Sequence, residues 1–345
     1  MSCHNGLHST MNSSEPTGGI LVLGSNSFSG ASFIGHSLAN KNSVIGMSRS
    51  EEAQIPFRSY VKNATSENFH FYNLDLNNDL ELIEETLSQV RIDVVVNFAA
   101  QSMVAQSWEK PEDWYNTNVV SMAKLCNLLL SQGTIEKFIN FTTPEVYGST
   151  NGWIRESFNF APNTPYAISR AASDWHLKAL YENFGFPVIF TRAANVFGEH
   201  QRLYRIVPRV ILSALTGRKL PLQGGGKSIR SFIHIEDVSD ALTKIVEEGK
   251  PGESYHISTN ELVTIYELVA LVAEKLNVNL EDLIEMVPDR PGKDFAYQLD
   301  SQKIRSELGW EDKISLSEGL DRTIKWVTDN LDELKEMPLN YEHRR

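Results

Sequence analysis

Cysteine is nearly missing from this sequence: Cys3 and Cys126 are the only two in 345 residues. Two distant thiols give neither a disulfide framework nor a metal-ligand spacing, so a reducing, cytoplasmic setting is expected and no metal. Cys126 falls inside an apolar helical pattern and reads as a small buried hydrophobe. Long apolar runs are missing too, and none could span a membrane. Positive charge is in short supply: 32 Lys and Arg against 44 Asp and Glu leave a net charge of −12. That argues against a nucleic-acid or anionic-membrane surface, while leaving room for a local basic pocket. No internal repeat or low-complexity linker divides the chain. Residues 1–17 are rich in Ser, Asn and His without an apolar centre, and read as a disordered leader rather than a signal peptide.

What is present is a 41% hydrophobic chain, enough for one large domain or two modest ones. Gly19–Leu23 reads as a buried parallel strand. Gly24-Ser25-Asn26-Ser27-Phe28-Ser29-Gly30 follows, then a helix over 31–40. Strand, glycine turn and helix form the setting of a dinucleotide-binding loop. Gly24 permits a tight turn, Gly30 permits close helix packing, and the helix N-terminus offers N–H groups to a pyrophosphate. Ser27 stands where the usual spacing has its middle glycine. A second strand, 43–47, runs into Ser48-Arg49. An NAD site places an acid here for the ribose 2′-hydroxyl, and an NADP site a cation. With no carboxylate before Glu51, the pair leans towards NADP.

The third strand, 69–74, delivers Asp75-Leu76, and Asp75 is placed to reach an adenine amino group. A helix over 79–90 and a β-branched strand over 93–98 follow. That strand delivers Phe98, then Ala99-Ala100-Gln101, whose small residues let the backbone pass close to a flat cofactor. The pattern predicts a helix over 114–130 and a strand over 137–141. Such alternation implies an α/β fold with a doubly wound parallel sheet. Ligands lie beyond the carboxyl ends of such strands, so Gly24, Ser48, Ala99 and Thr143 should converge. Later segments, including helices over 203–216, 265–276 and 316–331 and a strand over 254–257, read as a smaller lobe packed on the first.

After the 137–141 strand comes a proton-handling set: a hydroxyl (Thr143), a carboxylate (Glu145), a phenol (Tyr166) and a cation (Arg170). Tyr166 and Arg170 are four apart on a predicted helix, hence on one face. The cation favours the phenolate and makes Tyr166 a candidate general base towards an alcohol.

In combination, the glycine turn, the run Thr143-Pro-Glu-Val-Tyr-Gly148 after a strand, and Tyr166 with a cation four residues on resemble the extended short-chain dehydrogenase/reductase family. Within it they resemble the nucleotide-sugar 4,6-dehydratases and epimerases. Asn97 to Ser102, Ser107-Trp108, Asn195-Val-Phe-Gly198, Gly224 to Asp237, Asp289 to Asp294 and Glu307-Leu-Gly-Trp310 support the resemblance, which covers 19–331. It implies a Rossmann-like NAD(P)-binding domain over 18–194, with 231–250 returning to it. A nucleotide-sugar-binding α/β lobe would comprise 195–230 and 251–335, followed by a tail over 336–345. A retained NAD(P) and a homodimer built on the 114–130 and 166–184 helices are also implied.

The implied reaction oxidises a nucleotide-diphosphate sugar at C4. Tyr166 takes the O4 proton, Thr143 holds that oxygen, and Arg170 bonds the nicotinamide ribose. Glu145 removes the C5 hydrogen acidified by the new ketone, and water leaves from C6. Asn195, Arg205, Arg230 and Arg290 match positions that contact the nucleotide, and Ser102 joins them on the substrate side. Two positions depart from the glucose-type enzymes. Pro144 replaces the aspartate that protonates the leaving hydroxyl, and Arg170 replaces a lysine, whose compact ammonium differs from a planar fork. An epimerase or decarboxylase on the same fold, and a non-catalytic nucleotide-sugar-binding protein, are the alternatives. Ala100-Gln101-Ser102 with Ser107-Trp108, and the Ser48-Arg49 pair, resemble the GDP-mannose branch. The Arg230 segment and the run from Asp289 resemble the dTDP-glucose branch.

Overall fold

The computed structural model describes residues 19–150, 152–288, 296, 298–341 and 343, so the expected leader lies outside the described residues. Seven strands form one parallel sheet: β1 (Gly19–Leu23), β2 (Val44–Ser48), β3 (Phe69–Asn73), β4 (Ile92–Asn97), β5 (Lys137–Thr142), β6 (Val188–Ala193) and β7 (Ser254–Ile257). Their order is β7-β6-β5-β4-β1-β2-β3, and every pairing is parallel. The order reverses at β1, the switch point at which such sheets open a crevice for a ligand.

Period-two alternation builds a core on both faces. Ile20 and Val22 of β1 join one apolar cluster, with Phe33 and Ile34 of α1 (Phe28–Ala39) and Val238, Leu242 and Ile245 of α7 (Ile235–Glu248). Leu21 and Leu23 join the other. It includes Ile83 of α2 (Leu80–Ser88), Leu125, Cys126 and Leu129 of α4 (Met122–Gln132) and Leu177 of α5 (Pro165–Phe184). Cys126 is fully buried, and burial pushes its thiol well above the ordinary range.

Two findings differ from the sequence reading. The helix expected over 114–130 is broken into α3 (Pro111–Tyr115), a π-helical turn (Asn116–Ser121) and α4. Apolar periodicity does not report the extra residue of a π-turn. Residues 254–257, assigned to the lobe, form the outermost strand of the sheet against β6. Helix α7 supplies the crossover that such a parallel pair requires.

The lobe gathers α6 (Ile206–Thr216), α8 (Ile265–Lys275) and the helix Leu316–Asp329 around Val207, Val210, Leu268, Val272 and Leu320. Parallel pairing of Asn195–Phe197 with Phe232–His234 leads the chain between lobe and sheet. Among the described residues no helix is long and apolar enough to cross a membrane.

Candidate active site

A cavity of about 780 Å³ opens beyond the carboxyl ends of the strands, between sheet and lobe. Gly24, Asn26, Ser27, Phe28, Ser29, Ser48, Arg49, Asp75, Leu76, Phe98, Ala99, Ala100 and Gln101 line it on the sheet side. Thr143, Pro144, Glu145, Tyr166 and Arg170 also line it, as do Ser102, Asn195, Arg205 and Arg230. The convergence expected from strand ends therefore occurs. Arg290 lies outside the described residues.

The glycine turn has a steric explanation. Gly24 has φ +72°, and a Cβ on it would sit 2.7 Å from the Ala99 nitrogen. Gly30 does not line the cavity. A Cβ there would lie 2.5 Å from the Gly24 carbonyl oxygen, so it serves close packing of α1 on the turn. Ser27, in place of the middle glycine, has φ −71° and caps α1, its Oγ accepting from the Gly30 N–H at 3.0 Å. A hydroxyl, not conformational freedom, is what that position uses. The result is a close backbone approach, small side chains and a capped helix N-terminus. That combination fits a dinucleotide pyrophosphate.

Around the β2 end, Asn26 donates its N–H to Ser48 Oγ at 3.0 Å. Its side chain donates to the carbonyls of Ser50 and Glu51 and accepts from the Ala53 N–H. Asn26 and Ser48 thus shape the loop. Arg49 remains an exposed cation on the cavity wall. Arg202, which sequence reasoning missed, joins that end from the lobe side: its Nη2 donates to the Asn26 carbonyl at 3.1 Å, and its guanidinium lies 4.4 Å over the Phe57 ring. Asp75 accepts from the Asn77 N–H and the Asn78 amide at the edge of the sheet.

The proton-handling residues come from two elements. Thr143 caps a 3₁₀ turn, Pro144–Tyr147, with its Oγ1 accepting from the Glu145 N–H at 3.2 Å. Pro144 occupies the first helical position, where a missing N–H costs nothing and a fixed φ is preorganised. The proline that removes the expected acid therefore shapes the turn presenting Glu145. Helix α5 begins at Thr164, whose hydroxyl accepts from the Ala167 N–H, and has Pro165 in its first turn. It carries Tyr166 and Arg170 inward, 8% and 2% exposed. Arg170 donates to the Phe141 carbonyl at 2.7 Å, tying the helix to β5.

The Tyr166 side chain lines the cavity together with Thr143, Glu145 and Arg170. Its pKa is raised by burial, which outweighs the lowering by Arg170; Glu145 raises it further, and Thr143 and Arg205 lower it. Arg170 thus acts in the expected direction, but the net shift is upward, because a 2% exposed cation does not offset the desolvated phenolate. Asn118, inside the π-turn, pairs with both backbone groups of Gln101 and donates to Ser169 of α5. That wide turn links the cofactor-side loop to the helix carrying Tyr166, and nothing in the apolar stripe signals it.

The cavity is basic within an acidic chain: Arg49, Arg170, Arg202, Arg205, Arg209 and Arg230 line it against two carboxylates, Asp75 and Glu145. Clustered guanidinium forks suit diphosphates. The family model described as GDP-mannose 4,6 dehydratase matches residues 21–323. A dTDP-glucose 4,6-dehydratase of Neisseria meningitidis is 31% identical over 333 residues, covering 90% of this chain and 93% of the relative. The crystal structure of a dTDP-glucose 4,6-dehydratase from Streptomyces venezuelae with NAD bound superposes with a TM-score of 0.84 at 30% identity, over 91% of this chain and 98% of that one. A UDP-glucose 4-epimerase from Thermotoga maritima with UDP-glucose gives 0.82 at 28% identity, over 91% and 99%. This chain belongs to the GDP-mannose 4,6-dehydratase family, in the nucleotide-sugar dehydratase and epimerase group of the extended short-chain dehydrogenases/reductases.

Proposed function

We propose that this protein is a nucleotide-sugar 4,6-dehydratase in which Tyr166, Thr143 and Glu145 carry the proton transfers. The observation that carries the residue roles is the convergence of Thr143, Glu145, Tyr166 and Arg170 on one cavity, with Thr143 capping the turn that presents Glu145. A nicotinamide dinucleotide held along the Gly24 turn, Ser48, Phe98 and Ala99 would supply the hydride acceptor for C4 and the hydride returned to C6. Tyr166 takes the proton from O4 while Thr143 fixes that oxygen. Arg170 favours the phenolate that burial opposes. Glu145 then takes the C5 proton, which the neighbouring ketone has made acidic. With Pro144 unable to donate, the proton that leaves with O6 comes from water or from another cavity group.

Arg205, Arg230 and Asn195, with Ser102, hold the nucleotide diphosphate in this reading, and Arg290 remains a candidate from sequence. Residues 18–194 with 231–250 form the dinucleotide-binding domain, joined by the strand 254–257; the remainder of 195–335 forms the substrate lobe. At the ribose end Arg49 and Arg202 favour NADP over NAD by charge. An epimerase is the second reading, motivated by the epimerase likeness and by Pro144. Ile168 and Trp175 of α5 and Val120 of the π-turn are exposed apolar side chains, 43%, 48% and 46% respectively. We assign this face to a homodimer. Paucity of cysteine favours a cytoplasmic location.

Rapid mixing with nucleotide-diphosphate hexoses, followed at the reduced-nicotinamide absorbance, tests the oxidation step. A transient rise that decays within each turnover is expected. No rise with GDP-, dTDP-, UDP- or CDP-hexoses would contradict the reading.

A further inference from the structure

The C-terminal segment contributes to the cavity from outside both of its walls. After the short helix Leu331–Leu334, Met337 and Leu339 pack on the apolar cluster of the lobe. Tyr341 then lines the cavity, meeting the Tyr204 ring edge-on at 5.3 Å and 76°. Two residues later His343 reaches the dinucleotide-binding half. Its ring stacks on Trp114 of α3, with centroids 4.8 Å apart and 18° from parallel. Its Nε2 lies 2.8 Å from Asp113 Oδ2. Trp114 is fully buried. Anchors on the lobe, in the cavity and on α3 thus follow one another along seven residues.

Arg49 and Arg205 line the same cavity as Tyr341; burial raises the Tyr341 phenol's pKa, Tyr204 raises it further, and these two cations lower it. Tyr341 therefore joins a lining that holds both the dinucleotide-loop residues Asn26, Ser48 and Arg49 and the lobe residues Tyr204 and Arg205. A segment fixed on both sides of a cavity clears it only when one anchor releases.

We propose that residues 337–341 together with His343 form a clasp across this cavity, in which Tyr341 contacts the bound dinucleotide and the His343–Trp114 anchor slows its release. The clasp rests on the reading of the cavity as a dinucleotide site, and it gives that reading a physical basis for a cofactor retained between half-reactions.

The test uses the full chain loaded with reduced dinucleotide and chased with excess oxidised dinucleotide, with release followed by nicotinamide fluorescence. His343→Ala, whose side chain docks on α3, and Tyr341→Ala are each compared with the parent. Melting midpoints without dinucleotide confirm that the variants fold. Both variants should release dinucleotide about tenfold faster, the scale of one lost aromatic contact. Release at the parent rate from both overturns the clasp while leaving the dinucleotide site intact. Faster release from Tyr341→Ala alone also overturns it, since the α3 anchor would then hold nothing closed. A parent that binds neither NAD nor NADP overturns the dinucleotide reading and the clasp together.

Discussion

Arg192 donates to Asp174 at 2.8 Å, and neither side chain has any exposure to solvent. Asp174 lies on α5 eight residues after Tyr166 and also accepts from the Asn140 amide, which in turn accepts from Asn97. The chain of bonds ties α5 to β4, β5 and β6, and β5 leads into the turn that presents Thr143 and Glu145. The Arg192 guanidinium further faces the rings of Tyr147, Phe158 and Phe160 at 5.0–5.5 Å. Arg192→Met should cost about 3–5 kcal/mol by leaving a buried carboxylate without its ion-pair partner.

That variant has a definite pH signature. Burial raises the Asp174 pKa, and Arg192 is the largest effect opposing it. Without Arg192 the folded-state value rises further above the unfolded one. The variant's stability should therefore be greatest at acid pH and be lost as pH rises through the folded value. Chemical denaturation across pH checks this, and the double change Asp174→Asn with Arg192→Met should recover part of the loss. Stability equal to the parent's at neutral pH would contradict the account.

Glu145→Gln should leave nucleotide-sugar binding intact and stop exchange of the C5 hydrogen with solvent. Turnover should fall by about 10²–10⁴-fold, the usual scale for a lost general base. Deuterium incorporation at C5, read by mass, distinguishes the outcomes. Continued exchange would remove Glu145 from that role.

Arg170 lowers the Tyr166 pKa against the upward pull of burial. Arg170→Met should move that pKa further up, so the rise of kcat with pH should shift to higher pH. The shift is read from the acid limb of the pH profile. An unmoved limb with merely reduced activity would mean that Arg170 acts only through its bond to the Phe141 carbonyl.

Gly30→Ala should destabilise the fold by about 1–3 kcal/mol, the usual cost of forced overpacking. The added Cβ would meet a backbone oxygen at 2.5 Å, which cannot rotate away. Dinucleotide affinity should fall with it, because α1 and the Gly24 turn would separate. Thermal unfolding and dinucleotide titration read the two effects independently.

Much of this was legible because it depends on local pattern. Apolar β-branched runs marked the sheet strands, and residues after strand ends must meet on one side of a doubly wound sheet. That logic located Gly24, Ser48, Ala99 and Thr143. What escaped depends on contacts across the chain. Asn118 reaches Gln101 only because a π-turn widens the helix. Arg202 reaches Asn26 across 176 positions of sequence. The net pKa shift of Tyr166 depends on burial, which its spacing from Arg170 does not reveal.

The product mass tests the central claim most directly. Purified protein is incubated with GDP-, dTDP-, UDP- and CDP-hexoses, and the nucleotide sugars are weighed. The account predicts loss of one water from one of them, with no dinucleotide consumed. An unchanged mass with inverted stereochemistry, or no conversion of any sugar that binds, would contradict it.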